Sequence, residues 1–337
     1  MEKEASLNTS LTSLNSSLKI PLKIVDIGKV RVEKPFVLAP MAGVNCTAFR
    51  LLSKESGAGL IFTQMYHCDF ITHKYDNEGA DAVYDFVNLQ EEEKPVAIQL
   101  VGSNPERMVI AAKLFEKKAD IIDINLGCPD DNMIKSFSGG YYSLHPEKID
   151  DLIKPVIEAV KIPVTAKIRI GYDSQHINGV SVAQQLEKLG VSAITIHGRV
   201  TIQKYAGKAN WEIIKHIKNK LSIPVIGNGD INNSAAAVDM LAKTRCDLAM
   251  IGRRTIGDPG IFTRCNNKFY HQAEPIIEPK ELFFRFIKYY RRYDLDKSFT
   301  ELRTHALWFA KRAKLGPKAR SEIAQMKNID DIVRFFE

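Results

Sequence analysis

The sequence predicts an α/β protein: a (β/α)8 TIM barrel followed by a small C-terminal helical domain. Eight short apolar runs of strand character recur between residues 36 and 251. Segments with helical spacing separate several of them. After about residue 259 the strand runs stop and only helical patterns remain. Strands alternating with helices imply a parallel sheet, and eight units over about 220 residues fit a barrel of typical length ~250. A doubly wound sheet is the alternative. It would be long for that class, and no GxGxxG turn follows an early strand.

Residues 1–18, rich in Ser, Asn and Leu, read as a flexible tail. Residues 24–27 and 30–32 flank Gly28-Lys29 and read as a short hairpin. Strands are expected at 36–39, 60–65, 96–101, 121–126, 164–170, 193–197, 224–227 and 248–251. Helices are expected at 105–118, 146–160, 181–189, 211–220 and 234–243. Residues 275–279, with two prolines, read as a linker. Further helices are expected at 281–293, 298–313, 317–326 and 329–336. The expected organisation is a tail (1–18), a barrel domain (19–260) and a helical domain (261–337).

Charge is unevenly spread. Of the net +7, residues 261–337 hold 16 Lys/Arg against 10 Asp/Glu, leaving a nearly neutral body. A basic appendage suits a polyanionic partner. Five widely spaced cysteines include no CxxC or Cys/His cluster, so neither zinc nor a disulfide framework is expected. The start lacks the basic residues and continuous apolar core of a signal peptide, and no apolar run reaches the ~20 residues of a membrane span. A reducing cytoplasm is the expected compartment.

In such barrels the site lies at the C-terminal ends of the strands. The fourth strand runs into Asn125, Gly127, Cys128 and Pro129, which break it and leave a thiol at its mouth. With an unperturbed pKa of ~8.5, a lone cysteine there is a candidate proton donor. The third strand carries Gln99, an in-plane donor and acceptor. The fifth carries Lys167 and Arg169, and the sixth ends His197-Gly198-Arg199. Asn228-Gly229-Asp230 and Gly252-Arg253 follow the seventh and eighth strands, the usual phosphate cradle of these barrels. Lys167 should be buried and needs a partner, which an anion or an electron-rich ring supplies. Phosphate cradle, amide and lysine together point to FMN.

These motifs occur in an order that resembles the tRNA-dihydrouridine synthases. The resemblance rests on Ala39-Pro40-Met41-Ala42-Gly43-Val44 with Phe49-Arg50, Ala97-Ile98-Gln99-Leu100, Asn125-Leu126-Gly127-Cys128-Pro129, Lys167-Ile168-Arg169, His197-Gly198-Arg199, Asn228-Gly229-Asp230 and Gly252-Arg253. It is strong over about residues 22–262 and weaker at 302–309. It implies a flavoenzyme that reduces uridines of tRNA, with NADPH as reductant. By that pattern FMN would contact Pro40, Met41, Ala42, Gln99, Lys167, His197, Asn228, Gly229, Asp230, Gly252 and Arg253. Cys128 would be the general acid, and Asn125 and Arg199 would face the uracil. A uridine must leave its stack to reach such a pocket, and the basic helical domain would hold the tRNA phosphates. The sequence departs from the pattern at Gln64, where Glu is common, and at Tyr141-Tyr142, where small residues are common. Two other readings remain open: an FMN barrel acting on a free pyrimidine, of dihydroorotate dehydrogenase type, and a non-catalytic RNA-binding barrel.

Overall fold

The structure, a computed structural model, describes residues 24–295 and 298–337. The expected tail over residues 1–18 lies outside the described residues. An antiparallel hairpin comes first, β1 (Val25–Ile27) paired with β2 (Val30–Val32). Eight strands follow: β3 (Phe36–Leu38), β4 (Ile61–His67), β5 (Val96–Val101), β6 (Ile121–Asn125), β7 (Val164–Arg169), β8 (Ala193–His197), β9 (Val225–Asn228) and β10 (Leu248–Ile251). All are parallel. β10 pairs with β3, Met250 beside Val37, and so closes the barrel. Each expected strand is present to within two residues.

Strand side chains alternate between the two faces, and that alternation builds the interior. Val37, Ala97, Ile121, Ala193, Ile226 and Leu248 form one inner apolar cluster. Their neighbours, such as Phe36, Ile98, Ile122 and Ile194, pack outward against the helices. The hairpin residues Ile27 and Val32 join the inner cluster and plug the floor. Two residues further along several strands, the same inner face turns polar. Ala97 is followed by Gln99, Ile121 by Asp123 and Asn125, Ala193 by Thr195 and His197, and Ile226 by Asn228. The register sets Gln99 beside Asp123, Asp123 beside Thr165, Asn125 beside Lys167, and Arg169 beside His197. The barrel thus has an apolar floor and a polar upper end.

Helices surround the strands. The helices Thr47–Glu55 and Cys68–Val87 were not among those expected. The second is interrupted at Gly79, with φ +83, so its periodicity breaks in the middle. Arg50 and Glu93 form a fully buried ion pair at 2.6 Å, and Arg50 also donates to the Asn45 and Asn88 carbonyls. Such a buried pair holds only when hydrogen bonds satisfy the remaining charge. It fixes the segment that leads out of β3.

The helix Ile261–Phe269, which sequence patterning groups with the C-terminal helices, packs against Ser234–Thr244 and β3. Phe269 meets Phe36 edge-on at 6.0 Å. It completes the helical ring of the barrel, and residues 271–278 then lead without regular structure into the helix Pro279–Tyr293. The last helices, Phe299–Arg312, Pro317–Gln325 and Ile329–Phe336, do not form an isolated core. Phe283, Phe286, Phe309 and Ile332 belong to the same buried cluster as the outer barrel residues. They dock beside the mouth. Asp294 accepts from the Ala48 backbone N–H at 2.7 Å, His305 stacks on Phe286 and meets Cys46 at 3.5 Å, and Arg312 donates to the carbonyls of Ile256 and Arg254. No helix among the described residues is long and apolar enough to cross a membrane.

Candidate active site

At the C-terminal ends of the strands lies an open cavity of about 370 Å³. Every site residue expected from the sequence lines it, from Pro40, Met41 and Ala42 after β3 to Gly252 and Arg253 after β10. The strand register brings them together, because inner-face residues near the top of each strand must converge on one mouth.

Cys128 sits on a turn held from three sides. Its N–H donates to Asn125 Oδ1 at 2.8 Å, and the Gly127 N–H donates to the same oxygen at 3.0 Å. Its carbonyl accepts from the Gly140 N–H at 2.8 Å. Gly139 approaches closely, at φ +58; a Cβ there would lie 2.9 Å from Cys128 Cβ. Burial, aided by the charge of Asp130, pushes the thiol above its ordinary value, against the pull of Arg169, Lys167 and the Asp130 backbone. The thiol therefore keeps its proton at neutral pH, as a proton donor requires.

Lys167 rises from β7 into the cavity. Burial and the neighbouring Arg169 lower its pKa to about 8, and the attraction of Asp123 does not offset them. His197 is pushed far below its usual value, first by burial and then by Lys167, Arg169, Arg199 and Arg253. These influences favour its neutral form. Among the described lining residues Asp230 is the one carboxylate, beside Lys167, Arg169, Arg199, Arg253 and Arg254; Arg199 pairs with Asp230 and Arg254 with Asp258. The mouth is built for an anionic ligand.

Two expected residues take different parts. Arg199 is 2% exposed, and its guanidinium is fully engaged. Nε donates to the Ala206 carbonyl at 3.0 Å, and Nη2 to the Gly207 carbonyl at 2.6 Å and to Asp230 at 2.5 Å. It clamps the loop after β8 while lining the cavity. Asp230 is the other half of that clamp, and it also accepts from the Ala209 N–H at 2.6 Å. Gly229, at φ +123, is needed here, since a Cβ would lie 2.7 Å from Ala209 Cβ. Gln64 holds the loop after β3 by accepting from the Gly43 N–H at 3.1 Å.

Sequence reasoning assigned no part to Arg169, Tyr205 or Asp123. Arg169 donates to the carbonyls of Gly127, Val200 and Lys204, each at 2.9 Å, tying the Cys128 turn to the loop after β8. Its signal was present, because it follows Lys167 by two on the same face. Tyr205 stands 55% exposed at the mouth, its ring 4.7 Å from the Arg253 guanidinium. It comes from an irregular loop, where no periodicity announces it.

A flavin mononucleotide fits this donor set. The loops after β9 and β10 offer glycine backbone and Arg253 for a phosphate, and Asp123 compensates the buried Lys167 only in part.

Fold and site together define an α/β barrel class with a protonated thiol and cationic side chains facing one cavity at the C-terminal strand ends. A family model described as dihydrouridine synthase matches residues 37–335, and the chain belongs to that family. It is 36% identical to tRNA-dihydrouridine synthase B of Vibrio cholerae, over 76% of this chain and 80% of that one. The Klebsiella pneumoniae protein of the same name is 33% identical, over 84% and 88%. A probable tRNA-dihydrouridine synthase of Rickettsia bellii is 35% identical, over 72% and 74%. Among solved structures, histamine dehydrogenase from Rhizobium sp. 4-9 superposes with a TM-score of 0.59 at 15% identity, over 80% of this chain. This chain spans about half of that one, 51%. Morphinone reductase in complex with tetrahydroNAD superposes at 0.52 and 12% identity, over 77% of this chain and 93% of that one. At those identities the likeness shows the fold alone.

Proposed function

We propose that the chain reduces selected uridines of tRNA to 5,6-dihydrouridine, with FMN as cofactor and NADPH as reductant. The observation that carries this reading is the placement of Cys128 and Lys167 around one cation-lined cavity. The names of the relatives support the same substrate. FMN, when bound, supplies a hydride to C6 of the uracil. Lys167 balances the negative charge of the reduced ring. Gln99 and the loop after β3 hold the ring edge, and Gly229, Gly252 and Arg253 hold the phosphate. Asn125 faces the uracil, and Cys128 gives its proton to C5. The base must be flipped out of the RNA to enter a cavity of this depth. The cytoplasm is the compartment this reading assigns.

The helical region supplies cations for the tRNA phosphates. Not all of its basic residues are available. Arg285 pairs with Glu55 and Glu281, Arg291 with Asp330, and Arg312 with backbone carbonyls. Lys311, Lys314 and Lys318 form no ion pair among the described residues and are the first choice for RNA contact.

Purified protein should be yellow and release FMN on heating. With NADPH it should convert uridine in a tRNA transcript to dihydrouridine, read by mass spectrometry of nuclease digests. Protein that cannot be loaded with FMN overturns the flavin reading. A flavoprotein that reduces a free pyrimidine and leaves tRNA unchanged overturns the tRNA reading.

A further inference from the structure

Beneath the cavity runs a chain of buried polar side chains that begins at a residue with no assigned role. Asp123 Oδ1 accepts from Thr165 Oγ1 at 2.6 Å, and its Oδ2 accepts from Gln99 Nε2 at 2.6 Å. Gln99 Oε1 then accepts from Asn125 Nδ2 at 2.8 Å. Asn125 Oδ1 ends the chain by accepting from the N–H groups of Gly127 and Cys128. Asp123 is fully buried and Gln99 is 1% exposed. From the geometry we infer that Asp123 is a positioning residue: it sets the direction of every amide in this relay and thereby holds the Cys128 turn and the Gln99 amide in their working orientation. The inference deepens the reading above and rests on Cys128 being the proton donor.

Hydrogen-bond polarity sets the direction of the relay. An ionised carboxylate can only accept, whereas the amides of Gln and Asn can be turned either way. With an acceptor at position 123, Gln99 must present its NH2 downward and its carbonyl to Asn125. Asn125 must then give its NH2 to Gln99 and turn its carbonyl to the two backbone N–H groups. Every contact pairs a donor with an acceptor. Reversing the first link reverses all of them. Gln99 would then show its NH2 to Asn125, and Asn125 would show its NH2 to the N–H groups of Gly127 and Cys128. Donor would face donor beneath the catalytic thiol, in a buried site where an unmade hydrogen bond is costly. The upward-facing side of Gln99, which lines the cavity, would change sign as well. The charges and polar groups around Asp123 are Lys167 and Thr165 from β7 and Gln99 from β5. Burial raises its pKa to about 6, which leaves it ionised at pH 7 to 8.

Two near-isosteric variants separate polarity from charge and from packing. Asp123→Asn keeps an acceptor for Gln99 and can donate to the Thr165 hydroxyl, so the relay keeps its direction without the charge. Asp123→Leu removes the acceptor. The readouts are the alkylation rate of Cys128 by iodoacetamide in the flavin-free protein, mapped by peptide mass spectrometry, FMN affinity by fluorescence, and single-turnover tRNA reduction. Circular dichroism and melting report folding. The expected result is that D123N keeps all three within a few-fold. D123L, still folded, alters the Cys128 alkylation rate, weakens FMN and slows turnover on the order of 10²-fold, the scale of a misplaced catalytic group. Equal impairment of D123N and D123L overturns the relay, because charge rather than direction would then be what matters. Unchanged Cys128 reactivity in folded D123L also overturns it. If D123L does not fold, Gln99→Glu, which puts a second acceptor against Asp123, replaces it with the same readouts and the same overturning result. Because the alkylation assay needs neither FMN nor tRNA, a failure of the relay is distinguishable from a failure of the functional reading.

Discussion

Lys167 should destabilise the flavin-free protein, and Lys167→Met should make it more stable while abolishing tight FMN binding. Its pKa falls from 10.5 to about 8, with burial the first cause and Arg169 the second. At 1.36 kcal/mol per unit, keeping the ammonium charged in the empty cavity costs ~3 kcal/mol. The sign follows from proton counts. Below about pH 8 both folded and unfolded chains hold the proton, and the full cost is present. Between about 8 and 10.5 the unfolded chain binds more protons than the folded one, so stability rises with pH across that window. Above it both are neutral and the cost is gone. Urea unfolding of flavin-free wild type and K167M, followed by circular dichroism at pH 7, 9 and 10, reads this cost through the difference between the two proteins, net of the attraction between Lys167 and Asp123. K167M should be more stable at pH 7 by up to ~3 kcal/mol, and the gap should narrow as pH rises. FMN titration at pH 7 should show lost affinity in the same variant. A gap absent at pH 7, or one that does not change with pH, refutes the view that Lys167 is an incompletely compensated cation awaiting an anionic ligand.

Four further outcomes are expected. Cys128→Ala should retain FMN and tRNA binding and lose ~10²–10⁴-fold in single-turnover rate, the usual worth of a positioned acid; an unchanged rate removes Cys128 from the chemistry. Gly229→Ala places a Cβ 2.7 Å from Ala209 at φ +123, so FMN affinity should fall on the order of 10-fold with the fold retained, as fluorescence titration and circular dichroism will show. Replacing Lys311, Lys314 and Lys318 by Gln should flatten the salt dependence of tRNA binding by at most about one unit of slope per lost phosphate contact. Arg312→Gln, whose guanidinium is held by the carbonyls of Ile256 and Arg254, should lower the melting temperature and leave that slope largely unchanged.

The sequence by itself determined the strands, their order and which side chains share a face. Period two is a property of the extended backbone, so Gln99, Asn125, Lys167, Arg169 and His197 could be placed on one inner face before any fold was seen. The turns after β6, β9 and β10 were legible for a similar local reason, since clustered Gly, Pro, Asn and Asp favour strand ends and turns. Closure was not legible in that way. The same alternating pattern suits an open sheet, and only the pairing of β10 with β3 makes the inner face a floor beneath a mouth. Pairings between distant side chains were decided by the tertiary structure alone. The pairing of Arg199 with Asp230, 31 residues away, is of this kind. So is the pairing of Arg285, from the basic helical region, with Glu55. Asp123 looked like one more residue of an apolar strand until β5 and β7 brought Gln99 and Thr165 against it. Local geometry follows from neighbouring residues along the chain, but what a charge does depends on what lies within a few ångströms through space.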